Sequence, residues 1–253
     1  MIRSILAPNA SPLTLDGTRT YVVGRERAVV IDPGPAIDAH LDAVAEVIGD
    51  GVVVGVLVTH AHPDHGEGAV RLAERLRTRV HGRRAGTLAD GDRFETDAGA
   101  VVAVPTPGHA PDHFAFHWPA EHAIFCGDLM IGGMDTTLVA SPEGDLTAYL
   151  DSLERVRALS PRIIHPSHGP PFENPTEAID DYIRHRRERE AQVVAALQYG
   201  PLEAEALVDA VYGDELHPGL RLLAVRTPRA YLEHLERAGR VRRVDGGWGV
   251  VAG

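Results

Sequence analysis

The segment GVVVGVLVTHAHPDHG, residues 51–66 of the 253-residue chain, restricts the architecture more than any other stretch. Its apolar run from Val52 to Val58, rich in valine, predicts a strand. The run passes without a break into Thr59, His60, Ala61, His62, Pro63, Asp64, His65 and Gly66, so three imidazoles and a carboxylate crowd one strand-to-helix loop. Such crowding is costly without a cation, and these residue types ligate borderline divalent metals, Zn²⁺ above all, at about 2.0–2.2 Å. In an extended segment His60 and His62 point to the same side. The turn then carries Asp64 and His65 to a neighbouring position, while Gly66 and Gly68 relax the backbone where a helix begins.

Three later segments repeat this pattern of an apolar strand ending in a polar ligand at a glycine-containing turn. Val101 to Val104 leads to Gly108 and His109, Ala123 to Cys126 leads to Gly127 and Asp128, and Ile163 and Ile164 lead through Ser167 to His168 and Gly169. Strand ends on one edge of a sheet converge in space however far apart they lie in sequence. Further strands are expected at Tyr21 to Val23, Ala28 to Ile31 and His113 to His117, and helices at Asp38 to Ile48, Gly68 to Arg77 and Leu146 to Ala158. The alternation is of α/β type. A proline-rich stretch, residues 170–175, precedes a long helix expected to run to Gln198 with Thr176 as its N-cap. Beyond Gly200 the pattern changes to short helices, Leu202 to Tyr212, Leu220 to Val225 and Pro228 to Ala238. A hairpin closed by Asp245, Gly246 and Gly247 follows, an order that suggests a winged helix.

The four motifs THAHPDHG, TPGHA, FCGD and PSHG, in that order, resemble the metallo-β-lactamase superfamily of binuclear metal hydrolases. The resemblance implies that His60, His62 and His109 bind one metal, that Asp64, His65 and His168 bind the other, and that Asp128 bridges them. Asp32, at the end of a strand, resembles the superfamily's aspartate that orients a ligand, though a turn residue would read the same way. His113 either touches substrate or a ligand, or packs beneath the site. Asp64 is the candidate catalytic residue, holding or receiving the proton of an attacking water. Two Zn²⁺ are preferred because the set is rich in histidine and lacks the extra acid of diiron relatives; iron or manganese is the alternative.

Wider stretches, LTLDGTRTYVVG, TPGHAPDHFAF, SPEGDLTAYLDSL and PSHGPPFENP, are similar to the β-lactamase-like protein 2 group, which includes an animal endoribonuclease and fungal thioesterases. Arg19 departs from that group, where asparagine is usual, and puts in doubt any substrate contact made there. The implied fold is a four-layer αββα sandwich over residues 1–173, a linking helix over 174–200 and a small winged-helix-like domain over 201–253.

Composition sets bounds on the function. The net charge is −11, which disfavours polyanion partners unless arginines are gathered locally, as at Arg184, Arg186, Arg187 and Arg189. On a helix these form a solvated or interdomain face, or grip a phosphate or a carrier-protein acid at the cleft. Cys126, the single cysteine, reads as a buried strand residue, and Trp248 as core. Without a signal-peptide pattern or a membrane-length apolar run, a cytoplasmic location is expected. The favoured reaction is hydrolysis of an ester, thioester or lactone in a small-molecule or carrier-bound substrate. The alternatives are cleavage of single-stranded RNA and a ligand-sensing winged-helix regulator. The helix from Pro228 to Ala238 mixes Arg229 and Arg237 with Glu233 and Glu236, so DNA is disfavoured as a partner.

Overall fold

The computed structural model describes residues 1–83, 86–212 and 226–251. Two five-stranded sheets face each other. The first runs in the order β1 (Ile2–Leu6), β2 (Arg19–Val23), β3 (Arg27–Ile31), β4 (Val52–Leu57), β5 (Val80–His81). The second runs β10 (Ile163–Pro166), β9 (Ala123–Gly127), β8 (Phe114–Trp118), β7 (Gly99–Pro105), β6 (Arg93–Thr96).

The period-two geometry of strands divides their apolar residues between layers. Tyr21, Val23, Val29 and Ile31 face inward and meet Phe114, Phe116, Trp118, Ala123 and Phe125 of the other sheet. Their neighbours Val22, Ala28 and Val30 face outward, under α1 (Asp38–Ile48) and α3 (Ala69–Arg75). On the second sheet Ala115, Ile124 and Cys126 face outward, under α4 (Leu146–Ala158) and α5 (Pro175–Leu197). Both faces of each sheet are therefore covered, which is why the central strands read as unbroken apolar runs. The result is the expected αββα order.

That outer core continues without a gap into the C-terminal elements. Leu207 of α6 (Ala204–Tyr212), Tyr231, Leu232 and Leu235 of α7 (Arg226–Arg237), and Trp248 of the β11 (Val241–Val244) and β12 (Gly247–Val250) hairpin belong to the same cluster. Trp248 is core, as expected, and the Arg243 guanidinium lies 4.7 Å from its ring centroid. Among the described residues, no helix is long and apolar enough to cross a membrane.

Several local expectations are corrected. Helix α5 is preceded by Asn174 and opens on Pro175, whose missing N–H suits the first turn; Thr176 lies inside the helix rather than capping it. Leu202 is extended because its backbone pairs both ways with Trp248, so α6 starts two residues later than expected. The strands β1, β5 and β6 lie at or near sheet edges and carry partly exposed residues, which breaks the apolar run that marks the interior strands. The expected helix from Leu220 to Val225 lies outside the described residues.

Candidate metal centre

The loop between β4 and the short helix α2 (Pro63–Gly66) is pinned from below by Asp32. Asp32 is wholly buried at the end of β3, with φ +48°. Its carboxylate accepts from Thr59 N–H, Thr59 Oγ1–H and Ser167 Oγ–H, each at 2.8 Å, and from His65 Nδ1–H, also at 2.8 Å. One aspartate thus ties together the loops that follow β4 and β10. Gly127 allows a close approach beneath the cluster: at φ +52° a Cβ there would stand 2.7 Å from His113 Nε2 and 2.8 Å from Thr59. Gly108 at φ +137° similarly lets the His109 turn pass against the Tyr149 backbone of α4.

The structure brings all seven expected ligand side chains together. Ligand atoms of His60, His62, His109 and Asp128 lie within 4.8 Å of one another, and those of Asp64, His65 and His168 form a second such group. Asp128 reaches toward both: Oδ1 is 3.3 Å from His65 Nε2 and 3.4 Å from His168 Nε2, while Oδ2 is 3.6 Å from His109 Nε2.

Each histidine has its outward-facing nitrogen beside a hydrogen-bond acceptor, which assigns the tautomer. His60 Nδ1–H donates to Thr59 Oγ1 at 3.1 Å and His109 Nδ1–H to the Leu138 carbonyl at 2.7 Å, and His62 Nε2 lies 3.3 Å from Glu143 Oε1. His65 donates to Asp32, and His168 Nδ1–H to the Gly17 carbonyl at 3.1 Å. The remaining nitrogens are left as lone-pair donors aimed inward. They crowd closely: His60 Nε2 is 2.8 Å and His109 Nε2 3.1 Å from His62 Nδ1. His65 Nε2 and Asp128 Oδ1 are buried with no hydrogen-bond partner. Orphaned polar atoms of this kind are expensive, and a cation satisfies them, so the residues present fit a divalent metal pair.

The electrostatics divide the histidines into two sets. Burial, reinforced by His65 and His113, pushes His60 well below the usual imidazole range, and burial also lowers His109. Both are thereby kept neutral. Burial is the largest influence on Asp128 and opposes its charge, but His65, His168 and His109 outweigh it and hold the carboxyl well below its ordinary value. For His65 and His168 burial is again the largest influence and lowers them, yet Asp128 and Asp32 outweigh it at His65, and Asp64 and Asp128 at His168, so both are raised, a bias toward the protonated form that a bound cation reverses.

His113 is fully buried. Its Nε2 accepts from Asp128 N–H at 3.1 Å and its Nδ1–H donates to Thr106 Oγ1 at 2.8 Å, so it holds the Asp128 backbone from beneath and has no exposed surface for a substrate. Arg19 turns to Asp16, at 2.6 and 3.0 Å. Cys126 is sealed under α4, and burial pushes its thiol pKa up, away from nucleophilic chemistry. Glu143 and the Leu138 carbonyl escaped the sequence reading. A glutamate in a polar loop resembles any solvated acid, and a carbonyl has no residue-type signature.

A cleft of about 500 Å³ opens over the cluster, bordered by residues 11–15, by Ile131, Met134 and Leu138, and by His185, Arg186 and Arg189 of α5.

Comparison with known proteins places these features in a family. A model described as the metallo-beta-lactamase superfamily matches residues 13–99 and 86–168, and one described as the beta-lactamase associated winged helix domain matches 204–248. A beta-lactamase-like protein 2 homolog from Caenorhabditis elegans is 28% identical, covering 95% of this chain and 85% of its own. An atrochrysone carboxyl ACP thioesterase from Aspergillus novofumigatus is 29% identical, covering 87% and 74% respectively. Among solved structures, a metallo-beta-lactamase family protein from Thermus thermophilus superposes with a TM-score of 0.81 over 99% of this chain and 98% of its own, at 21% identity. A protein solved in a di-iron-bound form is 29% identical over 64% of this chain and 91% of its own, with a TM-score of 0.53.

Proposed function

This chain belongs to the metallo-β-lactamase superfamily, and from that premise we propose that it hydrolyses an ester, thioester or lactone, in a small or carrier-bound substrate, at a two-zinc centre. One observation carries the reading: five imidazoles have their outer nitrogens beside acceptors, and their inner nitrogens converge with Asp64 and Asp128 on one volume. His60 Nε2, His62 Nδ1 and His109 Nε2 would hold one ion and Asp64, His65 and His168 the other, with Asp128 between them. Five nitrogen and two carboxylate donors suit zinc; iron, as in the di-iron-bound neighbour, or manganese is the alternative. Ions held there supply Lewis acidity toward a carbonyl oxygen and toward water at neutral pH.

The chain's own residues do the rest. Asp64, partly exposed at the cleft floor, is placed to take the proton that the attacking water gives up. Water adds to the carbonyl carbon, the C–S or C–O bond breaks, and the thiol or alcohol leaves with a proton. Asp32 and His113 keep His65 and Asp128 in register throughout. Leu13, Met134 and Leu138 give the cleft an apolar border that suits an acyl group. Among the described residues, the cleft lining contains no Phe, Tyr or Trp on which a base of single-stranded RNA could stack.

The test is a panel of acyl thioesters, lactones, a β-lactam and single-stranded RNA, assayed on metal-replete protein with Asp64→Ala beside it. Turnover of an ester-type bond, insensitive to salt for a neutral probe and reduced about a hundredfold or more in the variant, is the expected result. Turnover of RNA alone, falling steeply with salt, or undiminished activity of Asp64→Ala, would overturn the assignment.

A further inference from the structure

Arg186 is an anomaly among the chain's cations. It is 3% exposed, yet among the described residues no carboxylate lies within ion-pairing distance of it. Its guanidinium donates to two neutral oxygens, the Thr137 carbonyl and, at 3.4 Å, Tyr231 Oη, and lies 5.0 Å from the Tyr149 ring centroid. Its Nε has no hydrogen-bond partner. A buried charge without a counter-ion is strongly disfavoured unless something else compensates it.

The surroundings indicate where that compensation comes from. Arg186 lines the cleft, and so do His185 and Arg189 on the same stretch of α5, Arg189 one helical turn further along. Arg184 and Arg187, by contrast, face solvent, and Arg184 pairs with Asp181. His185 Nδ1 is 3.3 Å from exposed Asp135, and Arg189 donates to Gln192 at 3.0 Å. Among the described residues, the only acids lining the cleft are Asp64 and Asp128, both within the metal-ligand cluster. In a protein of net charge −11, the α5 wall of the cleft thus holds a buried guanidinium, Arg186, that no carboxylate among the described residues offsets. Apolar Leu13, Met134 and Leu138, exposed by 60%, 47% and 37%, border the same space. In low-dielectric surroundings an unneutralised charge acts across the cleft on whatever enters it.

We propose that His185, Arg186 and Arg189 form an anion subsite, and that the substrate is an apolar acyl ester or thioester carrying a carboxylate or phosphate away from the scissile bond. The inference rests on the hydrolase reading above and names the substrate class for it. The anion has two sources: a carboxylate on the acyl part, or the phosphate of a phosphopantetheine arm.

The experiment uses four thioester probes of one acyl length, with and without a terminal acyl carboxylate, on an N-acetylcysteamine or a phosphopantetheine leaving group. Kinetics are measured on the metal-replete wild type, Arg189→Ala and Arg186→Met, with thermal unfolding recorded for each. At least one anionic probe should exceed the neutral one by about tenfold in kcat/KM, mainly through KM. That ratio should shrink toward one in Arg189→Ala, which alters a partly exposed side chain, and should decline with ionic strength. Whichever probe shows the advantage identifies the source of the anion. Equal efficiency on all four probes, or a ratio unchanged in both variants, removes the subsite and leaves the hydrolase intact. Turnover of RNA but of none of the four probes removes both.

Discussion

The two halves of the metal-ligand cluster are supported in different ways. His65 and His168 are anchored within the sandwich, the first by Asp32 and the second by the Gly17 carbonyl, and neither is more than 1% exposed. His62 and His109 lean instead on the segment 138–145, through Glu143 and the Leu138 carbonyl. That segment is in turn held by α7 of the C-terminal domain. Ser141 N–H donates to the Arg226 carbonyl at 3.2 Å, Ser141 Oγ–H donates to Glu233 at 3.0 Å, and Arg237 grips Asp145 with two bonds of 2.8 Å. One half is therefore fixed by the sheets, while in the other only His60 rests on the sandwich, through Thr59, and His62 and His109 border a segment held by a helix of the appended domain. Three polar side chains of α7, Glu233, His234 and Arg237, make contacts with the sandwich.

Removing Asp32 should do the most damage. Asp32→Ala strands four buried donors, and unfolding by denaturant should show a loss of about 4 kcal/mol or more. The bound metal should fall from two ions per chain to one at most, with the His65 side emptied. Retention of both ions would break the contrast drawn above.

Glu143→Ala tests the other half. Removing an acceptor from a ligating histidine typically lowers metal affinity about 10–100-fold, and competition with a chelator should show that loss for one ion of the pair only. An equal loss for both would mean that the halves are not independently supported.

Arg237→Ala should have the smallest effect. The pair is roughly half exposed, so the cost is about 0.5–1 kcal/mol. Its pH signature has a definite sign. Arg237, by hydrogen bond, lowers the Asp145 pKa in the folded state, so this stabilisation is present above the unfolded carboxylate value of about 3.9 and is lost as pH falls through the folded one. The wild type should lose its advantage over the variant in acid, as followed by thermal unfolding across pH 2–6.

The same contrast explains what could be read from the sequence. His60, His62, Asp64, His65, His109, Asp128 and His168 were legible because each follows an apolar strand at a glycine-containing turn, and strand ends of a sandwich meet at one edge. Asp32 was legible by its place at the end of β3. What supports the His62 and His109 side was not, because it consists of a carbonyl and a loop glutamate whose roles depend on a helix some ninety residues away. The arginine stretch of α5 could be seen in the sequence, but not how it divides: Arg184 and Arg187 go to solvent and Arg186 into the interior, a division set by which turn of α5 meets α4 and α7. Edge strands such as the two-residue β5 carry too little pattern to register.

The most direct test is elemental analysis of the purified chain after reconstitution with zinc and removal of excess metal, run beside His60→Ala and His168→Ala. The proposed centre predicts two ions per chain in the wild type and about one in each variant, lost from opposite halves of the cluster. A wild type that retains no stoichiometric metal, while still folding with the same thermal transition, would contradict the assignment.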